Sequence, residues 1–324
     1  MTPIGRSVGG GAGAPVAGVD HRASPHQCDG EGGRAVGGSS IDKGRGTTDN
    51  CRAMRWIIGD VHGMRAALER LLDEVGRVDA GARFYFVGDY VNRGPDARGV
   101  IDLLLSLSDA KFVRGNHDDI FDQVVNGASY ADAAGGDRML AFQWFMDHGL
   151  DQTFVSYGVD YAMLESCRRR GDLTRLAGIA EAVPAAHRRF VRELPAVIEE
   201  ADLFVAHAKW DPYEPDTLPN LAKPLAGNPG WRHKLLWGRY ADDEIDGAKG
   251  WRRTGYFGHT PVYAYAASQR TGEVLMLPIA GSRMVLLDTG AALNKNGRLT
   301  AFCADDQSFV QVDHYAKLVE VAAT

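Results

Sequence analysis

Short apolar runs alternate with helix-spaced apolar positions from residue 56 onward, and each run stops at a polar cluster. Trp56-Ile57-Ile58 gives way to Gly59-Asp60-Val61-His62-Gly63, after which Ala66, Leu68, Leu71, Leu72 and Val75 recur at the spacing of one helix face. The run Arg83 to Val87 ends in Gly88-Asp89-Tyr90-Val91-Asn92-Arg93-Gly94, before a helix carrying Val100, Ile101, Leu103, Leu104 and Leu105. Ala110 to Val113 ends in Arg114-Gly115-Asn116-His117-Asp118. Successive strand-then-helix units predict an α/β sheet, and open sheets of that kind place ligands at the carboxyl ends of their strands. All of these polar clusters fall there.

The pattern from about 118 to 195 is mainly helical, with segments near 139–148, 160–170 and 185–194, which predicts an insertion over one edge of the sheet. Pro195 precedes a strand pair, Val197-Ile198-Glu199 and Leu203-Phe204-Val205-Ala206, the second ending in His207. From about 211 to 231 a Pro- and Gly-rich stretch predicts no regular element. Tyr256-Phe257 leads into Gly258-His259-Thr260, and Met284 to Leu287 into Asp288-Thr289-Gly290. Leu299 to Ala304 and Phe309 to Val312 read as a closing hairpin.

Residues 1–53 differ from the rest: they are rich in Gly, lack aromatics and show no periodicity, so they are expected to be disordered. They contain no apolar core of a secretory signal. Met54 stands directly before the first strand and is the expected natural start, with residues 54–324 forming one domain. Over the 324 residues the apolar fraction is 45% and the charged fraction 24%, values of a globular protein with a sizeable core. A net charge of -6 gives no electrostatic footprint for nucleic acid. No apolar run is long enough to cross a bilayer, and the four cysteines form no CxxC pair. A reducing, cytoplasmic setting is expected.

Collected in order, the strand-end groups are Asp60, His62, Asp89, Asn116, His117, His207 and His259. Carboxylate, imidazole and amide oxygen form the ligand set of Mn, Fe or Zn, without the thiolates of a structural zinc site. Each group alone is a turn former or a buried polar residue. Turn chemistry, however, does not select for histidine, and four of the ten histidines stand at strand ends.

Asp60-Val61-His62, then GDYVNRG, Gly115-Asn116-His117-Asp118, His207 and Gly258-His259-Thr260 closely resemble the ordered signature of the metallophosphoesterase (calcineurin-like) superfamily, in its phosphoprotein phosphatase branch. Trp144 to Tyr157, Leu235-Leu236-Trp237 and Asp288-Thr289-Gly290 add similarity to bacterial serine/threonine phosphatases of that branch. The resemblance spans about residues 55–312. It implies an α/β fold of two mixed β-sheets packed as a sandwich flanked by helices, with a dinuclear metal site at the strand ends.

The resemblance further implies that Asp60, His62 and Asp89 hold one divalent cation and that Asp89, Asn116, His207 and His259 hold another, with Asp89 bridging. Manganese is the first expectation, with Fe or Zn as alternatives. A hydroxide between the cations would attack phosphorus in line. His117 matches the general acid and Arg93 the phosphate clamp, whose planar fork suits phosphate oxygens. Asn116 and Arg239 are further candidates for contacting substrate, with Arg232 the alternative to Arg239 as second clamp.

Two positions depart from the pattern. Asn92 stands where the family usually has aspartate; it is expected to accept a hydrogen bond and hold the His117 ring while supplying no charge, which weakens general-acid catalysis for poor leaving groups. Lys209 replaces a frequent glycine and is expected to point outward.

The leading reading is a metal-dependent phosphomonoesterase acting on phosphoserine or phosphothreonine in proteins, with a small phosphoester as the other substrate class. The alternative is a diadenosine tetraphosphate hydrolase, and a third reading is a non-catalytic, metal-bound binding protein. A dinucleotide-binding reading fails, because the first turn is GDVHG rather than GxGxxG. No nucleic-acid or membrane partner is expected.

Overall fold

The computed structural model describes residues 53–132, 136–214, 216, 229–270 and 273–319. The expected leader therefore lies outside the described residues, apart from Ala53. Strands β1 (Arg55–Ile58), β2 (Arg83–Phe86) and β3 (Ala110–Phe112) run parallel, connected by α1 (Arg65–Val78) and α2 (Ala97–Ser106). The closing hairpin completes this sheet. Its strands are β11 (Arg298–Cys303) and β12 (Phe309–Asp313), and β11 pairs antiparallel with β1 to give the order β12-β11-β1-β2-β3.

A second five-stranded sheet has the order β4-β5-β6-β10-β9. Its strands are β4 (Val197–Glu199), β5 (Leu203–Ala206), β6 (Thr254–Phe257), β9 (Ile279–Ala280) and β10 (Met284–Leu286). β5, β6 and β10 are parallel, while β4 and β9 pair antiparallel at the rims. A small hairpin, β7 (Gln269–Arg270) with β8 (Glu273–Val274), stands apart from both sheets.

The two sheets pack as a sandwich. Ile57, Tyr85 and Val87 from the first meet Val205, Tyr256 and Val285 from the second in one buried cluster. Burial on both faces explains why Trp56-Ile57-Ile58 of β1 and the whole of β5 are unbroken apolar runs rather than alternating ones. The outer face of the first sheet, with Trp56, Ile58 and Phe86, packs against the helices, and that of the second, with Phe204, Phe257 and Leu286, against Leu235 and Trp251.

The helical region begins at Asn116, two residues before the expected boundary. It comprises α3 (Asn116–Asn126), α4 (Arg138–Phe145), α5 (Leu150–Ser156), α6 (Tyr161–Arg170), α7 (Leu173–Glu181) and α8 (Ala185–Glu193). Buried Arg114 ties it to the β3 edge, donating to Asp119 and Asp122 and to the carbonyls of Arg192 and Leu194. In the stretch expected to be irregular, residues 217–228 lie outside the described residues. From Pro229 the chain is already helical, as α9 (Pro229–Trp237). Among the described residues no helix is long and apolar enough to cross a membrane.

Candidate metal centre

The turns that leave β1 and β2 hold each other. The amides of Val61 and His62 donate to the carbonyl of Asp89, that of Gly63 to Tyr90, and that of Gly94 back to His62. This mutual pairing imposes an unusual backbone: His62, Asp89, Asn92 and Arg93 have φ of 46°, 56°, 70° and 67°, and His259 at the end of β6 has 68°. Such left-handed conformations cost of order 1 kcal/mol or more for residues with a side chain, and they concentrate at functional sites. The neighbouring glycines leave room for the carboxylates. A Cβ on Gly115 would run into Asp89, and one on Gly258 into Asp60.

All six expected ligands, and His117, meet at this point and are buried. His62 donates Nδ1–H to the Val91 carbonyl at 3.0 Å, which leaves Nε2 as a lone pair 3.4 Å from Asp89 Oδ2 and 4.0 Å from Asp60 Oδ2. His207 does the same with the Val87 carbonyl at 2.8 Å, and its Nε2 faces Asn116 Oδ1 at 2.9 Å and Asp89 Oδ1 at 3.5 Å. His259 Nδ1 lies 3.0 Å from the same Asn116 oxygen, and its backbone amide donates to Asp60. Asn116 and His117 open α3, and the His117 amide donates to Asp89 Oδ1 at 2.9 Å, so a helix N-terminus helps hold that carboxylate.

Two sets of three candidate donors lie within 4.8 Å of one another: His62, Asp89 and His117, and Asp60, Asp89 and His207. Asp89 belongs to both, as a bridging carboxylate would. His117 joins the first set in place of Asp60, a different division from the one the resemblance implies. The whole cluster is compact enough that Asp60 reaches both sides.

The electrostatics are those of a site built for cations. Burial pushes the Asp89 carboxyl up to about 7 and lowers His207 to about 4. Burial first, then the charges of Asp288 and Asp89, hold Asp60 well above the carboxylate range. Burial likewise depresses His62, His117 and His259. Lone pairs facing lone pairs, as at His207 Nε2 and Asn116 Oδ1, and ionisable acids buried together are stable when a cation sits among them. The donor set of carboxylate, imidazole and amide oxygen therefore fits divalent metal.

Arg93, half-buried, reaches the centre with Nη1 2.9 Å from His62 Nε2 and Nη2 3.2 Å from His117 Nε2. Its amide donates to the Gly149 carbonyl, so the junction between α4 and α5 supports it. Asn92 holds the His117 ring, but as a donor rather than the expected acceptor. Its Nδ2 lies 2.8 Å from His117 Nδ1, because Thr153 Oγ1–H already occupies its Oδ1 at 2.8 Å. Arg239 is exposed and donates to Thr260 Oγ1 at 3.1 Å, next to His259. Arg232 instead donates to the Tyr130 carbonyl and lies over that ring. Lys209 does not point outward; Glu244 takes its ammonium with both oxygens at 2.7 Å.

Sequence reasoning assigned no role to Thr153, Asp118 or Asp288. Asp118, fully buried, accepts from the amides of Asp89, Tyr90 and Gly115 and so ties the β2 turn to α3. Its place at the third position of a helix was the available signal. Asp288 is buried at the end of β10 and accepts from the Gly290 amide.

Residues 55–263, more than half of the chain, match the family model of calcineurin-like phosphoesterases. Curated relatives include the symmetrical bis(5'-nucleosyl)-tetraphosphatase of Coxiella burnetii (strain Dugway 5J108-111), 46% identical over 63 residues, which is 19% of this chain and 22% of that protein. The enzyme of the same name from Acidovorax sp. (strain JS42) is 39% identical over 64 residues, 19% of this chain and 23% of that one. The chain thus spans under a quarter of the length of these relatives. Among solved structures, a metallophosphoesterase from Sphaerobacter thermophilus shares 19% identity over 83% of this chain and 89% of its own, with a TM-score of 0.43. A protein serine/threonine phosphatase from Saccharomyces cerevisiae shares 15% over 85% of this chain and 83% of its own, with a TM-score of 0.43.

Proposed function

Because the chain belongs to the calcineurin-like phosphoesterase family, we propose that it is a metal-dependent phosphomonoester hydrolase acting on phosphoserine or phosphothreonine in cytoplasmic proteins. The observation that supports this most is convergence: six donor residues, a guanidinium and a further histidine meet at one buried point between two strand-end turns. Asp60, His62, Asp89, Asn116, His207 and His259 would hold two divalent cations, with Mn the first candidate. Bound there, the cations supply Lewis acidity at the phosphoryl oxygens and an acidified water as nucleophile. Arg93 presents two nitrogens toward the centre and clamps phosphate oxygens with its planar fork. His117, beside Asn116, is the proton donor to the leaving group.

A second reading is hydrolysis of a dinucleoside tetraphosphate, and Asn92 favours it. An amide donating to His117 Nδ1 supports a neutral ring, which is a weak general acid. Cleavage of a phosphoanhydride expels a nucleotide phosphate, a stable anion that needs little proton transfer, whereas a serine alkoxide needs much.

The test is turnover of a phosphoserine peptide and of diadenosine tetraphosphate side by side with Mn, with Asp89→Asn as control. Release of phosphate from the peptide, lost in Asp89→Asn, is the expected result. Cleavage of the nucleotide alone would establish the second reading. Mn binding with no turnover of either would overturn both and leave a metal-bound binding protein.

A further inference from the structure

Asp288 carries a buried carboxylate oxygen that the fold leaves without a partner. The residue is 1% exposed, Oδ1 accepts from the Gly290 amide at 2.9 Å, and Oδ2 has no hydrogen-bond partner among the described residues. Gly59 is packed against the Leu287 carbonyl so closely that a Cβ there would collide with it. One residue further along each chain segment, Asp60 and Asp288 are therefore neighbours at the ends of β1 and β10. Two buried carboxylates side by side, one with a free oxygen, are unfavourable unless a cation faces them. Arg93 and Arg239 act on Asp288 only through their charge, and no guanidinium bond to it is formed among the described residues.

We propose that Asp288 is a positioning residue for the cation at Asp60, its buried Oδ2 supplying counter-charge and an acceptor for water on that cation. Outer groups of this kind orient ligands and tune affinity without touching substrate. The inference rests on the metal-binding reading of the site.

The experiment is Mn titration by calorimetry, with thermal melts of the metal-free protein in chelator at pH 8, for the wild type, Asp288→Asn and Asp288→Ser. Asparagine keeps an acceptor for Gly290 but removes the charge. The expected result has opposite signs: Mn affinity falls about ten-fold or more, while the metal-free variants melt at or above the wild-type temperature, since a buried repulsion is gone. Mn affinity unchanged in both variants would overturn the proposal. So would metal-free melting that falls in both, or loss of a cooperative melt in both, because Asp288 would then be a structural residue. A wild type that binds no Mn would instead overturn the reading of the site as a metal centre.

Discussion

Asn92 and His117 face each other across 2.8 Å with the amide nitrogen turned to the ring, and Thr153 keeps it so. The threonine hydroxyl donates to Asn92 Oδ1 and accepts from the Asn92 backbone amide, so turning the side chain over would break a buried hydrogen bond. A proton added at His117 Nδ1 would meet an N–H donor. Burial and the charges of His62 and Arg93 oppose protonation as well.

Asn92→Asp exchanges that donor for a carboxylate able to accept from a protonated ring. Turnover of a phosphoserine peptide is expected to rise about ten-fold, a modest part of what general-acid catalysis can contribute. Turnover of nitrophenyl phosphate, whose leaving group needs no proton, is expected to change by less than about two-fold. Steady-state kinetics on the two substrates provide the check, and equal effects on both would sink the idea.

Arg93 adopts φ 67° inside the pair of interlocked turns, and this strain accompanies the clamp position rather than stability. Arg93→Gly and Arg93→Ala should both lose most activity, because neither offers the paired donors that phosphate requires. They should differ in stability: glycine adopts left-handed φ freely, so the glycine variant is expected to exceed the alanine variant by about 1 kcal/mol. Urea denaturation of the two proteins measures the difference. An alanine variant as stable as the glycine one would show that the turn relaxes when the arginine is removed.

Legibility from sequence depends on how locally each feature is determined. Asp60, Asp89 and His207 could be placed because buried parallel strands read as unbroken apolar runs, and the polar residues after such a run lie at the ligand-binding end of the sheet. The orientation of the Asn92 amide could not be placed, since it depends on Thr153, 61 residues away on α5. Lys209 was expected to be solvated because lysines usually are; its partner Glu244 stands 35 residues on, beyond any local pattern. The left-handed backbone of Asn92 and Arg93 was equally hidden, because it is imposed by pairing with the His62 turn rather than favoured by either residue.

The metal-free protein should lose stability as pH rises above 6.5. Asp60, Asp89, Asp118 and Asp288 are all raised from an ordinary 3.8 by burial, Asp89 and Asp118 to about 7. A raised acid binds its proton more tightly when folded, so its contribution is complete at low pH and is lost as pH climbs through the folded value. His62, His117, His207 and His259 are lowered from 6.5, and their contribution has the opposite sign, lost as pH falls. The two sets oppose each other from about 4 upward, and the histidine contribution fades as the unfolded histidines lose their protons through 6.5, which leaves the acids to dominate as pH rises further. Stability in chelator should therefore fall between pH 6.5 and 8, by at most about 1.4 kcal/mol per pH unit for each acid still protonated in the folded protein, and melting temperature should fall with it. Added Mn should flatten or reverse the trend, since cations take the ionised carboxylates. A metal-free melting temperature that climbs over this range would contradict the account.

Arg239 was the first candidate for a second clamp and Arg232 the alternative, and their surroundings separate them. Arg232 is committed to Tyr130, through the carbonyl at 3.3 Å and the ring at 5.7 Å. Among the described residues the Arg239 side chain bonds the Thr260 hydroxyl, and after burial and His207 its charge adds to the lowering of the neighbouring His259. Its remaining guanidinium donors form no hydrogen bond among the described residues. Because a charge-assisted hydrogen bond contributes about 1.5 kcal/mol or more, Arg239→Ala should raise KM and the inhibition constant of inorganic phosphate about ten-fold. The turnover number should change little, since the contact is made in ground state and transition state alike. The difference from wild type should shrink as salt is added, because an exposed arginine is screened. Arg232→Ala should leave both constants unchanged and instead lower the melting temperature slightly through the lost Tyr130 contact. Phosphate inhibition measured on both variants decides between them, and a larger effect from Arg232→Ala would assign the clamp to α9 instead.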